Sequence, residues 1–369
     1  MSEASFGLEE RPLRTASELA ERAALLASRG LTVPEGEGLV LGLYQGERLV
    51  ATGTLVRNVL QGIAVDAGSE GEGAAAAIVS SLIKRAIDRD IGQLFLFTTF
   101  EEAPRFASLG FSLIAGVPRG AALLEWGSEG IESFLGALRG VARARPRRAG
   151  AVVVNCNPFT AGHRALIEYA AAHSPWLYVL VVEEDRSLFP FEVRLRLIRE
   201  GTADLENVTV FAGGPYIISS ATFPTYFIRP DREEAAQKAV GMHAALDLVT
   251  FRSRIAPELG VARRFVGTEP YCDTTSVYNE TMKAVLPATE AAEMERWGLE
   301  PGTPSVEVVE IPRYEIDGEA VSASKVRDLI RAGRLSDVER LVPPSTWKWL
   351  CGVEAAPILE KIRHSDSRH

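Results

Sequence analysis

No stretch of this chain is long and apolar enough to cross a bilayer. The richest run, WLYVLVV at residues 176–182, falls far short of the ~20 residues a spanning helix needs. The opening residues, MSEASFGLEERPLR, carry no apolar export segment, so a cytoplasmic location without membrane attachment is expected. Cysteine is scarce: Cys156, Cys272 and Cys351 lie far apart, are odd in number and form no CxxC pair. That argues against a disulfide framework and against a thiolate metal knuckle. Positive charge is not in excess either. The 40 Lys and Arg residues face 49 Asp and Glu, for a net charge of −9, a balance that disfavours nucleic acid as a partner. Internal repeats and low-complexity tracts are also lacking. What remains is 369 residues, 46% hydrophobic and 24% charged, enough for two or three domains with real cores.

The sharpest change in character lies between Gly127 and Gly150. Arg139, Arg143, Arg145, Arg147 and Arg148 cluster there around Pro146. A solvated helix and linker explains such a run, and a docking patch for an acidic partner explains it too. Before it, apolar segments at residues 40–44 and 49–55 flank Gln45-Gly46-Glu47 as a hairpin. A third strand ends in a glycine-rich loop, and residues 74–90 then read as a helix with Ile78, Leu82 and Ile83 on one face. After it the rhythm becomes strand, helix, strand, beginning with residues 151–154, 163–172 and 176–182. Such alternation predicts a parallel sheet covered by helices. The expected divisions are residues 1–130, a basic linker 131–149, a second domain 150–352 and a polar tail 353–369.

Three motifs in the second domain point to chemistry. Asn155, Asn157, Pro158, Phe159, Thr160, Gly162 and His163 follow its first strand, where open α/β sheets bind ligands. A helix starting near His163 offers free N–H groups to a phosphate, with Thr160 and His163 as side-chain donors. An ordinary helix cap would look the same in isolation. The second motif is Ser322, Ser324, Lys325 and Arg327 at another helix start. Cations there oppose the helix dipole, which makes sense if they face a polyphosphate. The third is Gly267, Thr268 and Glu269 at a strand end. Glu269 is a candidate hydrogen-bond acceptor, or a helper for a magnesium ion that mainly binds phosphate.

The pair Thr160–His163 and Ser322–Arg327 resembles the (H/T)xGH and SxSxxR motifs of the nucleotidyltransferase superfamily. The strings NPFTAGH, EDRSLFPFEVRL, YIISSATFPTYFI and FVGTEPYC together resemble, within it, the citrate lyase ligases. The N-terminal region is similar to the GNAT acetyltransferases in its strands, glycine-bearing loop, helix and turn at residues 106–111. The fold class implied is α/β: a GNAT-like α+β domain, then a Rossmann-like nucleotidyltransferase domain.

The resemblance implies activation of acetate by ATP, with magnesium on the phosphates, to acetyl-adenylate and pyrophosphate. Acetyl then passes to the thiol of a dephospho-CoA-derived arm on the acyl carrier subunit of citrate lyase. His163, Thr160, Lys325 and Arg327 would be catalytic, with Arg194 a further phosphate-side candidate. Glu183 stands where relatives carry a basic residue near the phosphates. Ser219, Thr222, Phe223 and Tyr226 are either core packing or an acetate pocket. Gly71 and Gly73 would hold the CoA-like arm, although Gly68 stands where the GNAT signature begins with Arg or Gln. A pantetheine-phosphate or nicotinamide-mononucleotide type of adenylyltransferase shares both phosphate motifs, and a regulatory nucleotide-binding module is the third alternative.

Overall fold

Apolar patterning sets where strands and helices form here, and glycine, proline and capping residues set where they stop. A computed structural model of the chain describes residues 7–34, 36–71, 73–184, 187–219, 234–269 and 272–365. It divides into two compact units, Met1–Glu132 and Ser133–His369.

In the first unit, β1 (Leu8–Pro12), α1 (Ala16–Ser28), β2 (Leu39–Gln45), β3 (Arg48–Val56) and β4 (Val59–Val65) lead to α2 (Ala74–Ile87). Then follow β5 (Gln93–Thr99), α3 (Ala103–Ala107), β6 (Ser112–Gly116) and β7 (Ala121–Gly127). Among the described residues these strands form one sheet ordered β1-β2-β3-β4-β5-β7-β6. The β4–β5 pair is parallel and the other pairs are antiparallel. Ala74, Ile78, Leu82 and Ala86 recur every fourth residue of α2 and are all buried, so one helix face covers the sheet. The order of strands, glycine loop, helix and residue 106–111 turn is the one expected of a GNAT-type domain. Helix α1 was not expected. Thr15 caps it, its side chain accepting from Glu18 N while the Glu18 carboxylate accepts from Thr15 N, a capping box.

Helix α4 (Ile131–Ala142) spans the division between the units, so much of the expected basic linker is helical. The second unit then alternates β8 (Ala149–Val154), α5 (Ala161–Ala172), β9 (Leu177–Val181), α6 (Phe191–Gly201) and β10 (Val208–Ala212). Helix α7 (Glu234–Thr250) runs through a wider turn into α8 (Ala256–Leu259), and β11 (Val261–Gly267), α9 (Asp273–Val285), α10 (Ala291–Arg296) and β12 (Glu307–Ile311) follow. A small hairpin, β13 (Glu315–Ile316) and β14 (Glu319–Ala320), precedes α11 (Ala323–Arg331), α12 (Pro344–Leu350) and α13 (Ala356–His364).

The main sheet of the second unit is ordered β10-β9-β8-β11-β12, and each pair is parallel. The chain winds outward from β8 to β10 and then crosses to the other side of β8. The strand order therefore reverses between β8 and β11, and the crevice beyond their carboxyl ends is where such sheets take ligands. Leu177, Val179 and Val181 are fully buried in the sheet. Helix α13 corrects the expected polar tail: Leu359 and Ile362 belong to the same core.

Candidate active site

Strand β8 ends at Val154, and residues 155–160 turn the chain into α5 at the switch point. Thr160 caps that helix. Its Oγ1 accepts from His163 N, and the His163 Nδ1 accepts from Thr160 N at 3.1 Å. The imidazole thus takes the place that Glu or Gln fills in an ordinary capping box. A ring nitrogen that accepts an N–H carries no proton, so the neutral ring has its proton on Nε2. Burial, then the charges of Arg313 and Arg327, push the His163 pKa down to about 4. The cap therefore fixes ring orientation, tautomer and charge, and makes His163 a neutral Nε2–H donor. Phe159, fully buried, stacks on the ring at 6.2 Å between centroids.

Helix α11 brings the second motif to this point. Ser322 caps it by accepting from Lys325 N at 3.1 Å. Arg327 is buried, and its guanidinium donates to Ser324 Oγ at 3.1 Å and to the carbonyl of Asn157. Gly162 lets the helices approach: a Cβ there would stand 3.0 Å from the carbonyl oxygen of Val321. Lys325 pairs with Glu319 of the hairpin. Thr160, Gly162, His163, Ser322, Ser324, Lys325 and Arg327 all line one cleft of about 1430 Å³.

The third motif comes from the carboxyl end of β11. Gly267, Thr268 and Glu269 line the same cleft, and a Cβ on Gly267 would meet nothing within 4 Å. The surprise is Arg313, just after β12. Its Nε donates to Thr268 O at 2.8 Å, and its Nη2 pairs with the Glu269 carboxylate. The other oxygen of that carboxylate accepts from Cys272 N at 3.2 Å. The sequence reading passed over Arg313, although its place beyond a β-rich run, on the edge that carries the other motifs, was a usable signal.

Other expected residues are held as scaffold. Arg194 corrects its expected role on the phosphate side: it is 0% exposed. Its guanidinium donates to the carbonyls of Phe189, Asn155, Val182 and Glu184 and to Asn155 Oδ1. A side chain so enclosed fixes the loop rather than touching substrate. Asn157 Oδ1 accepts from Phe189 N at 3.0 Å, and Asn155 bonds Ser187 at 3.1 Å. Asn155 and Asn157 line the cleft; Pro158, between Asn157 and Phe159, does not. Glu183 has its pKa raised by burial and does not line the cleft. Burial also pushes the Cys156 thiol well up, which makes it unreactive.

Ser219 donates to Pro215 O at 2.6 Å and is not part of the cleft wall. Thr222, Phe223 and Tyr226 lie outside the described residues. Gly71 and Gly73 belong to the first unit, with φ of +85° and +79°, and α2 has no side-chain cap. Glu70 beside them pairs with Arg29. In the arginine run, Arg145 stacks over Trp176 at 4.0 Å and Arg147 donates to Pro257 O at 3.0 Å. That run precedes β8, so it sits at the sheet edge opposite the cleft.

Among known proteins, the family model of the citrate lyase ligase C-terminal domain matches residues 149–350. Citrate (pro-3S)-lyase ligase of Klebsiella pneumoniae is 40% identical over 85% of this chain and 86% of its own length. The protein of the same name from Escherichia coli K12 is 37% identical over 90% of each. The solved structure of Escherichia coli ElaA aligns with 32% of this chain and 99% of its own, at 14% identity and a TM-score of 0.30.

Proposed function

Because the chain belongs to the citrate lyase ligase family, we propose that its cleft activates acetate with ATP and that the enzyme then acetylates citrate lyase. It is a ligase. A carboxylate oxygen of acetate attacks the α-phosphorus of ATP, the bond to the bridging oxygen breaks, and pyrophosphate leaves. The thiol of the dephospho-CoA-derived arm on the acyl carrier subunit then attacks the acetyl carbonyl, loses its proton, and displaces AMP.

The observation that carries this reading is the convergence of His163, Lys325 and Arg327 on one cleft at the switch point. Nucleotidyl transfer needs little covalent help from a protein; positioning and stabilisation of phosphate charge do most of the work. The Nε2–H of His163 donates to a non-bridging oxygen of the α-phosphate as charge builds there. Lys325, Ser324 and the amide groups at the start of α11 hold the leaving phosphates, with Arg327 completing the cradle. ATP binding has Lys325 exchange Glu319 for phosphate.

Magnesium is expected to arrive on the nucleotide. Glu269 accepts from Arg313 and from Cys272 N, and each carboxylate oxygen carries a second lone pair, so it would help to hold that ion. In the first unit, the open backbone at Gly71 and Gly73 and the uncapped start of α2 suit the pyrophosphate of the carrier's arm. Arg29 offsets the charge of Glu70 beside it.

Acetate-dependent exchange between ATP and pyrophosphate, in the absence of any thiol, tests the first half-reaction. ADP as product would mean phosphoryl transfer and would sink the mechanism. A dinucleotide product would identify an adenylyltransferase acting on another acceptor.

A further inference from the structure

The first half-reaction must bring two anions together, a carboxylate and a polyphosphate, and α11 provides cations for only one of them. We propose that Arg313 binds the carboxylate of the acyl substrate and that Glu269 is the positioning residue that holds its guanidinium. The inference rests on the reading of the cleft as a carboxylate-activating site.

Placement is the first argument. An in-line displacement puts the attacking and leaving oxygens on opposite sides of the phosphorus. Arg327 is anchored on the β8 side of the switch point, through the carbonyl of Asn157. Arg313 is anchored on the β11 side, through Thr268 O at 2.8 Å and Glu269. Both guanidinium charges bear on His163, so each is within electrostatic reach of the ring that faces the reacting phosphate. With α11 holding the leaving phosphates, Arg313, anchored at the end of β11 and lining the same cleft, serves the attacking side.

Chemistry is the second. A guanidinium presents its N–H groups as a planar fork that matches a carboxylate. Acetate has only a carboxylate and a methyl group, so an ion pair has to supply much of its affinity. Ile311 and Pro312, which precede Arg313 in the cleft wall, give the methyl group an apolar surface.

The state of Glu269 is the third argument. Its side chain is 13% exposed and Arg313 22%, and bonds on both carboxylate oxygens pin it. A fixed acid of this kind orients the guanidinium plane and keeps it from collapsing onto the phosphates.

The test is initial-rate kinetics of acetate-dependent ATP–pyrophosphate exchange, run against both substrates, with ATP binding measured separately by calorimetry. Arg313→Gln should raise the KM for acetate about 10- to 100-fold, the scale of a hydrogen-bonded charge, while ATP affinity stays within about twofold of wild type. Arg313→Lys, which keeps the charge without the fork, should fall between. Glu269→Gln should raise the same KM by a smaller factor. An unchanged KM for acetate in Arg313→Gln, or a loss of ATP affinity in its place, would overturn the inference while leaving carboxylate activation intact. A wild-type enzyme with no acetate-dependent exchange would overturn the reading on which it rests.

Discussion

Each unit of this protein turns a strand into a helix through a loop that invites an anion, and the two helix starts differ in what surrounds them. At α5 the cap is a side-chain pair, Thr160 and His163, and Arg327 and Arg313 converge on it from α11 and from the turn after β12. At α2 the glycines leave the backbone open, no side chain caps the helix, and the neighbouring acids Glu70 and Asp66 are paired with Arg29 and Arg48. The backbone device is common to both, and it supplies N–H groups and a dipole. Chemistry at a phosphate asks for more: donors fixed in place before the charge develops. Under the proposed function, α5 would carry reaction machinery, whereas α2 would offer only a grip.

The largest expected effect tests the first half of that contrast. His163→Ala should lower acetate-dependent exchange about 10²- to 10³-fold, the effect of removing one preorganised donor. A loss under tenfold would reduce α5 to the status of α2. Next is the loop that α5 follows. Arg194→Ala leaves buried carbonyls without their donor and should cost roughly 3 kcal/mol of stability, visible as a lower melting temperature. Exchange should fall with it, and added ATP should restore little of the loss. A melting temperature equal to wild type would show that the loop holds its shape without Arg194.

A smaller effect is expected at α2. Gly71→Asp places a negative charge, on a backbone with φ of +85°, where the carrier's pyrophosphate would lie. Acetyl transfer to the carrier should slow several-fold while ATP–pyrophosphate exchange is unchanged. If both half-reactions survive, the first unit has no part in holding the arm.

The smallest expected effect is an absence of change with pH. Folding lowers the His163 pKa from 6.5 to about 4, so the exchange rate should show no inflection from this residue near pH 6.5. Stability behaves differently. Below pH 6.5 the unfolded chain takes up a proton that the folded protein refuses, so stability falls as pH drops from 6.5 toward about 4. His243, also held near 4 by burial, adds to the same slope. Denaturant midpoints measured between pH 7 and pH 4.5 check the sign, and the His163→Ala variant should show a shallower fall.

Much of the fold was legible because its signals are local. The four-residue spacing along α2 and the alternation of strands and helices after Gly150 need only neighbours in sequence. Helix α1 was missed although Thr15 and Glu18 spell out its cap, and α13 was missed because its inward residues, Leu359 and Ile362 with Ile358 packed beside them, are few and share the segment with several charged residues. Each of those segments is stable through the core it covers, which composition does not display.

By itself, the sequence determined the identity and local geometry of the α5 cap. Thr160 and His163 lie three residues apart, and a helix of any origin would bring them together. Ser322 and Lys325 are fixed in the same way. Only the tertiary structure decided which arginines serve the cleft. Arg194 and Arg327 are both buried, yet one is spent on loop carbonyls while the other joins α11 to a carbonyl 170 residues away. Arg313 reaches Glu269 across 44 residues because β12 pairs with β11. A guanidinium goes wherever strand order places its acceptors. That order comes from long-range pairing, with β8 set against β11, and no local pattern in the chain encodes it.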